Sequence, residues 1–257
     1  MEGTARRPGL LKLTSRKYKT GEKRMKLKVS HLKESQDFAE QSMVFAKSLL
    51  QSSAAVFTWA DSQDQFLPHA QIGWPESTTK EYYSIYSSSD PLNIYRLIGQ
   101  GTRVAVLRDT PRDTQHENWN FYQQKFGLVD EVGFLFWSGT TPVGCLSIIR
   151  TSGDPTFACT ESFDRIHAFI EHGLSLLPAV KHYNAQSILK NDYGLTEREW
   201  AVATLISDGL SNKDIGEALN IELSTVKSHV IRILGKLGLD NRTQIAAFCN
   251  HPIAPRA

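Results

Sequence analysis

Apolar positions along this chain switch between a spacing near 3.6 and a spacing near 2, the signatures of amphipathic helices and half-buried strands. A helical pattern runs from Glu34 to Leu50, with Phe38, Met43, Phe45, Leu49 and Leu50 supplying its apolar positions. Two strands are predicted next, AAVFTWAD (54–61) and QFLPHAQIGW (65–74), with Asp61–Asp64 as the hairpin turn between them. Helices are expected at 77–88 and 91–99, the second opening on Pro91, whose fixed φ suits a first helical turn. RVAVLRD (103–109) reads as a strand and HENWNFYQQKFG (116–127) as a helix stopped by its glycine. EVGFLFW (131–137), the turn SGTT and PVGCLSIIR (142–150) predict a further hairpin. A long amphipathic helix follows from Thr160, with Phe163, Ile166, Phe169, Ile170, Leu174 and Leu177 at helical spacing, and Pro178 should end or kink it. Helices flanking about five mainly antiparallel strands describe an α+β class, an α-β-α sandwich. The polar stretch 181–193 reads as a linker.

From Leu195 the pattern is helical throughout. Thr196 and Glu199 form a T-x-x-E capping box for a helix that stops near Gly209. Ser211, helped by Asp214, caps a second helix that ends at Asn220. Ser224 is expected to cap a third, which runs to Leu237 and terminates at Gly238. Asn241 is placed to cap a fourth helix containing Ile245, Ala246 and Phe248. Four short helices with tight turns make an all-α helix-turn-helix plan. In the third helix Val226, Val230, Ile233, Leu234 and Leu237 form one apolar stripe. Lys227, Ser228, Ile231, Arg232 and Gly235 lie opposite, with Thr225 and His229 near the edges. Lysine can donate to guanine acceptors, hydroxyls can bind phosphate or bases, and Ile231 offers an apolar contact to a thymine methyl. The competing reading of the same periodicity is a small helical bundle with a solvated charged face.

Charge sharpens the division of the chain. Residues 1–28 hold ten Lys/Arg against Glu2 and Glu22, a net of +8, which leaves −6 of the overall +2 for the rest. This basic segment, with 1–30 taken as its extent, reads as a disordered leader, as a DNA-touching arm, or as sequence upstream of a start at Met25. From Leu195 onward seven Lys/Arg balance seven Asp/Glu, so attraction to nucleic acid is local to the third helix and its flank. Three widely spaced cysteines (Cys145, Cys159, Cys249) form neither a metal pattern nor a disulfide framework, which suits a reducing cytoplasm. No apolar run reaches the ~20 residues of a membrane span. No zincin H-E-x-x-H, G-x-S-x-G elbow or nucleotide-binding G-x-x-x-x-G-K-[ST] loop is present, and His167 and His172 are five apart, a poor metal pair on one helix. The expectation is a non-enzyme without cofactor.

The C-terminal motifs LTxRE, GxSNKxI, STVKxH and KLGxxxR, in register across 194–250, closely resemble the LuxR/GerE-type helix-turn-helix domain of transcription regulators. That resemblance implies a double-stranded DNA partner, with Lys227 and its neighbours in the major groove. It further implies phosphate contacts from Ser211, Asn212, Lys213, Thr225, His229, Lys236 and the Asn241–Thr243 turn, which includes Arg242 and Thr243. A homodimer with contacts through Ile245, Ala246 and Cys249 is implied, as is a possible contact with RNA polymerase. Trp200 departs from the pattern, standing where a charged residue is usual. Upstream, YSSSDPLNIYRLIGQGTRVAVLRD and the segments around FYQQKFGLVDEVGF and VGCLSIIR resemble the GAF/PAS-like autoinducer-binding domains of quorum-sensing regulators. By position, Asp90 matches an aspartate that bonds a ligand amide, Ser147 a polar pocket residue and Tyr86 a pocket aromatic. Two expected aromatics are missing, near Thr78 and Ala105, which argues against an acyl-homoserine lactone and for a different small-molecule effector or none. Asp90 also fits a plain helix cap before Pro91. Trp59, Tyr86, Trp119, Tyr122, Phe134 and Phe136 are candidate pocket residues, with an aromatic core as the alternative for most of them. The organisation expected is a sensor domain at 31–180, a linker at 181–193, the DNA-binding domain at 194–250 and a tail at 251–257. A module that only dimerises or meets a protein partner is the rival reading of the sensor.

Overall fold

The order of elements in the computed structural model follows the apolar patterning closely. It describes residues 32–60, 68–110, 117–157 and 161–250; the basic leader, the Asp61–Asp64 turn, Cys159 and the tail lie outside these. The N-terminal part comprises helix α1 (Lys33–Leu49), strands β1 (Ala54–Trp59) and β2 (Pro68–Ile72), helices α2 (Glu76–Glu81) and α3 (Ile94–Gly99), strand β3 (Val104–Val106), helix α4 (Glu117–Phe126), strands β4 (Leu128–Ser138) and β5 (Thr141–Thr151), and helix α5 (Glu161–Leu176). The strands form one sheet in the order β2-β1-β5-β4-β3, every neighbouring pair antiparallel. Helices cover both faces, giving the α-β-α sandwich expected from the pattern.

Side-chain alternation sorts the strands between two cores. Phe57 and Trp59 of β1, Val132, Phe134 and Phe136 of β4, and Leu146 and Ile148 of β5 pack against α1 and α5. Ala54, Leu135, Cys145 and Ile149 face the other side, towards Trp74, Tyr86, Leu97, Trp119 and Tyr122. The register agrees, because Cys145 pairs with Thr58 and Leu135, and Ser147 pairs with Val56 and Gly133.

Three expectations need correction in this region. The stripe that α1 buries is Ser35, Ala39, Ser42, Met43 and Ala46, while Phe45 and Leu49 are exposed and Phe38 is half-buried. Small residues let the helix lie close on the sheet, so size rather than hydrophobicity chose the face. The helix expected over 77–88 is α2 followed by a π-helical turn (Tyr82–Tyr86) and a 3-10 turn (Ser87–Ser89). The helix expected from Pro91 starts instead at Ile94, where Asn93 accepts from the Tyr95 amide at 3.0 Å.

Pro178 both ends α5 and starts the next helix. The stretch read as a polar linker is α6 (Pro178–Asn191), and only Val180, Ala185 and Leu189 are buried along it. So sparse a stripe is easily taken for solvated chain. Val180 packs into the sheet core, whereas Ala185 and Leu189 belong to the C-terminal core. The C-terminal helices are α7 (Glu197–Ser207), α8 (Asn212–Leu219), α9 (Leu223–Leu237) and α10 (Arg242–Asn250). Capping boxes at Thr196/Glu199 and Ser211/Asp214 are both present. Asn220 and Gly238 end α8 and α9 in the left-handed conformation, and Asn241 accepts from the Gln244 amide at 3.1 Å. Ser224 does not cap α9: the helix begins two residues earlier than that cap would place it, at Leu223, with Glu222 in the capping position and no side-chain cap bond.

Candidate functional site

Two separate regions bring chemistry-bearing side chains together. The first is the outward face of α9. Val226, Ile233 and Leu237 are buried, which fixes the helix's rotation and turns Lys227, Ser228, Ile231, Arg232 and Gly235 outward. Ile231 is 69% exposed, an unusual position for an isoleucine on a domain surface. No carboxylate interrupts 223–237, so Lys227 and Arg232 make this face positive. Thr225 is exposed at the helix start, and Ser228 spends its proton on the Ser224 carbonyl (3.0 Å), leaving its oxygen as an acceptor. His229 is half-buried, with Nδ1 unpartnered among the described residues.

Some flanking residues stand exposed, and others are tied down across the domain. Ser211 and Lys213 are exposed at the start of α8, and Thr243 at the start of α10. Arg242 donates to Asn212 Oδ1 at 2.7 Å and to the Leu210 carbonyl, so these two side chains hold the α8 and α10 ends together. Lys236 donates to Glu199 Oε2 and to the Gly194 carbonyl, both at 2.7 Å. Burial pushes the Glu199 carboxyl upward, but Lys236 and the Thr196 bonds outweigh it and hold the group below its ordinary range. Lys236 thus braces α7 against α9, an engagement that the expected phosphate contact did not include. Ile245 and Cys249 are likewise buried in their own domain, with the Cys249 thiol 3.8 Å from the Ala203 carbonyl. Both side chains pack within their own domain, and Ala246 is half-buried. Trp200 packs inward, its ring 5.1 Å from that of His182 on α6.

The second region is a cavity of about 340 Å³ on the α2–α4 side of the sheet. Asp90, Trp119 and Ser147 line it. Trp59 and Phe134 do not, because strand parity turns both into the opposite core. Tyr86 stacks beside the cavity on Phe121 and Tyr122 without lining it. The sequence reading missed Tyr82, Tyr83, Glu131 and Cys145, all of them lining residues. Glu131 left one visible signal, a charge that opens the apolar run EVGFLFW in phase with Gly133 and Leu135.

Asp90 is held by two partners inside the protein, and it caps no helix at Pro91. Oδ1 accepts from the Leu92 amide at 2.7 Å, a local turn, while Oδ2 accepts from the Tyr82 hydroxyl at 2.6 Å. Burial holds its carboxyl above the ordinary range, against the opposing pull of Tyr82, Leu92 and Arg96. Burial and then the Asp90 charge raise Glu131 as well, partly offset by its bond with Ser147. Burial and the neighbouring Glu131 push the Cys145 thiol up to about 12, so it is inert as a nucleophile. Trp119 is 1% exposed, and its indole N–H has no acceptor among the described residues. Among those residues no cluster of His, Cys, Asp and Glu could hold a metal ion, and no helix is long and apolar enough to cross a membrane. His167 contacts the Leu135 carbonyl at 2.9 Å through Nε2.

Comparison with known proteins bears on the first region. Residues 194–249 match the family model "Bacterial regulatory proteins, luxR family". Over 56 residues the chain is 46% identical to the transcriptional regulatory protein LiaR of Bacillus subtilis, covering 22% of this chain and 26% of LiaR. It is also 46% identical over 55 residues to the DNA-binding transcriptional activator DevR/DosR of Mycobacterium tuberculosis, covering 21% of this chain and 25% of that one. The chain therefore spans about a quarter of the length of these curated relatives. Among solved structures it is similar to Escherichia coli SdiA, at 17% identity and a TM-score of 0.42, covering 82% of this chain and 89% of SdiA. Capping boxes, turn geometry and the family match coincide over one stretch of chain: residues 194–249 are a helix-turn-helix domain of the luxR family of bacterial regulatory proteins.

Proposed function

We propose that the protein is a sequence-specific DNA-binding transcription regulator whose N-terminal cavity takes a small-molecule effector. The observation that supports it most is the outward face of α9, where Lys227, Ser228, Ile231 and Arg232 stand exposed on a helix locked by Val226, Ile233 and Leu237. In this reading the first turns of α9 enter the major groove, and Ser211, Lys213, Thr225 and Thr243 meet the backbone on either side. Lys236, Asn212 and Arg242 shape that surface from within.

The regulator acts as a homodimer in this reading. Val44, Phe45 and Leu49 on α1, and Phe169 and Leu176 on α5, are exposed, and the Phe45 and Phe169 rings touch at 5.0 Å. An apolar surface of this kind favours self-association. An effector in the cavity changes DNA binding only as far as it prefers one arrangement of the two heads over the other. The rival reading, a domain that only dimerises or meets another protein, leaves the cavity and its orphan indole without a purpose.

Selection from random-sequence duplexes tests the first half of this reading. It should enrich a near-palindrome with half-sites about 34–36 Å apart. Recovery of unenriched sequence at moderate salt would remove the assignment. Native mass spectrometry tests the second half, with a small mass retained by the folded protein and lost on denaturation as the expected result.

A further inference from the structure

The cavity brings two carboxyl groups together without a basic side chain beside them in its described lining. Asp90 and Glu131 both line it and are both buried, and no lysine, arginine or histidine joins them among the described lining residues. Arg96 on α3 acts on Asp90 from outside the lining. The rest of the wall is rich in aromatic faces: Trp74, Tyr82, Tyr83, Tyr95, Trp119 and Tyr122. Buried carboxylates need compensating charge or donors, and aromatic faces attract cations through their quadrupole. The cavity also holds a polar group of the opposite kind. The Trp119 N–H is buried and lacks an acceptor among the described residues, and a buried donor left unpaired costs about 1–3 kcal/mol. At about 340 Å³ the volume falls within the ~300–1,000 Å³ of small-molecule sites.

Resting on the reading that the cavity holds an effector, we propose that this effector is a small organic ammonium compound. Its cationic nitrogen lies between the Asp90 and Glu131 carboxylates against the tyrosine faces, and an acceptor atom elsewhere on it takes the Trp119 N–H. Asp90 keeps Tyr82 and Leu92 as partners, since each carboxylate oxygen accepts more than one bond. Glu131, bonded to Ser147, supplies the second negative group. The raised carboxyls fit this arrangement. Without a cation, protonation relieves the burial and mutual repulsion of the pair; with one, the ligand does so.

A matched pair of probes separates charge from shape: tyramine and tyrosol share one phenolic skeleton and differ in ammonium against hydroxyl. Calorimetric titration of the full-length protein should give tyramine an affinity at least about tenfold higher, one cation–π contact plus a charge-assisted bond exceeding ~1.4 kcal/mol. Glu131→Gln, which keeps the shape and removes the charge, should erase most of that preference while leaving tyrosol binding in place. Equal binding of the two probes would overturn the ammonium assignment while leaving the cavity as a ligand site. So would a preference that survives in E131Q. Binding of neither probe also overturns it, and native mass spectrometry then decides whether the cavity holds any effector. Should E131Q fail to fold, the wild-type comparison alone still decides the matter.

Discussion

Replacing Lys227 with alanine should lower affinity for the selected duplex roughly thirtyfold or more at fixed salt and leave the thermal unfolding of the protein unchanged. Lys227 is exposed in the first half of α9, and no ion pair or hydrogen bond engages it among the described residues. Truncating it therefore removes nothing from the fold. A base-reading side chain contributes about 1–3 kcal/mol, and a symmetric dimer loses it twice. Lys236 on the same helix supplies the contrast. Its ammonium binds the buried Glu199 and the Gly194 carbonyl, so Lys236→Ala strands a carboxylate and should cost about 1–3 kcal/mol of stability. Measured side by side, Lys227→Ala should shift the binding curve and not the melt, and Lys236→Ala chiefly the melt. An unchanged binding curve for Lys227→Ala would refute the docking of α9 proposed above.

Gly216→Val should destabilise the C-terminal domain by roughly 3 kcal/mol or more, a large share of what a small domain has. Gly216 is buried on α8, where the chain turns towards α9, and its carbonyl accepts from the Ile221 amide at 2.9 Å. A Cβ placed there would stand 2.8 Å from the Ile221 carbonyl oxygen, closer than such contacts occur. The turn must open, and opening it moves the start of α9 away from α8. Gly235 on α9 is the control, because a Cβ there meets nothing within 4 Å. Gly235→Ala should stabilise the helix by about 1 kcal/mol. Thermal unfolding of both variants, with circular dichroism of the C-terminal helices, checks the opposite signs; a Gly216→Val protein as stable as the parent would show that the turn yields freely.

These contrasts show where a sequence speaks clearly and where it does not. The helix-turn-helix was readable because its signals are local. A capping box joins residues three apart, a left-handed stop needs one Asn or Gly, and the α9 stripe repeats within a single helix. The cavity was only half readable for a physical reason. Both faces of the sheet are covered, so PVGCLSIIR is apolar at nearly every position and does not announce which residues face which layer. Trp59 and Phe134 looked as suited to a pocket as Trp119, and only the pairing of β1, β4 and β5 separates them. Asp90 was legible through its turn, whereas Glu131 carries no turn or cap to mark it. Lys236, Ile245 and Cys249 show another limit. A family pattern records which residue types recur at a position, but the partner that occupies a side chain can lie inside the same domain.

Helix α6 has a consequence for how the two halves of the chain are set relative to each other. Val180 near its start belongs to the sheet core, while Ala185 and Leu189 further along belong to the C-terminal core. Thr141 on β5 and Ser187 on α6 add a bond of 2.8 Å between the halves. A continuous helix anchored at both ends behaves as a keyed shaft, in which residue count sets angular phase. One residue added between Val180 and Ala185 would turn the C-terminal helices by about 100° and advance them by ~1.5 Å; four would return them nearly to phase, about 6 Å further on. The interval between these anchors is therefore quantised in helical turns, and the direction in which α9 faces is written into its length.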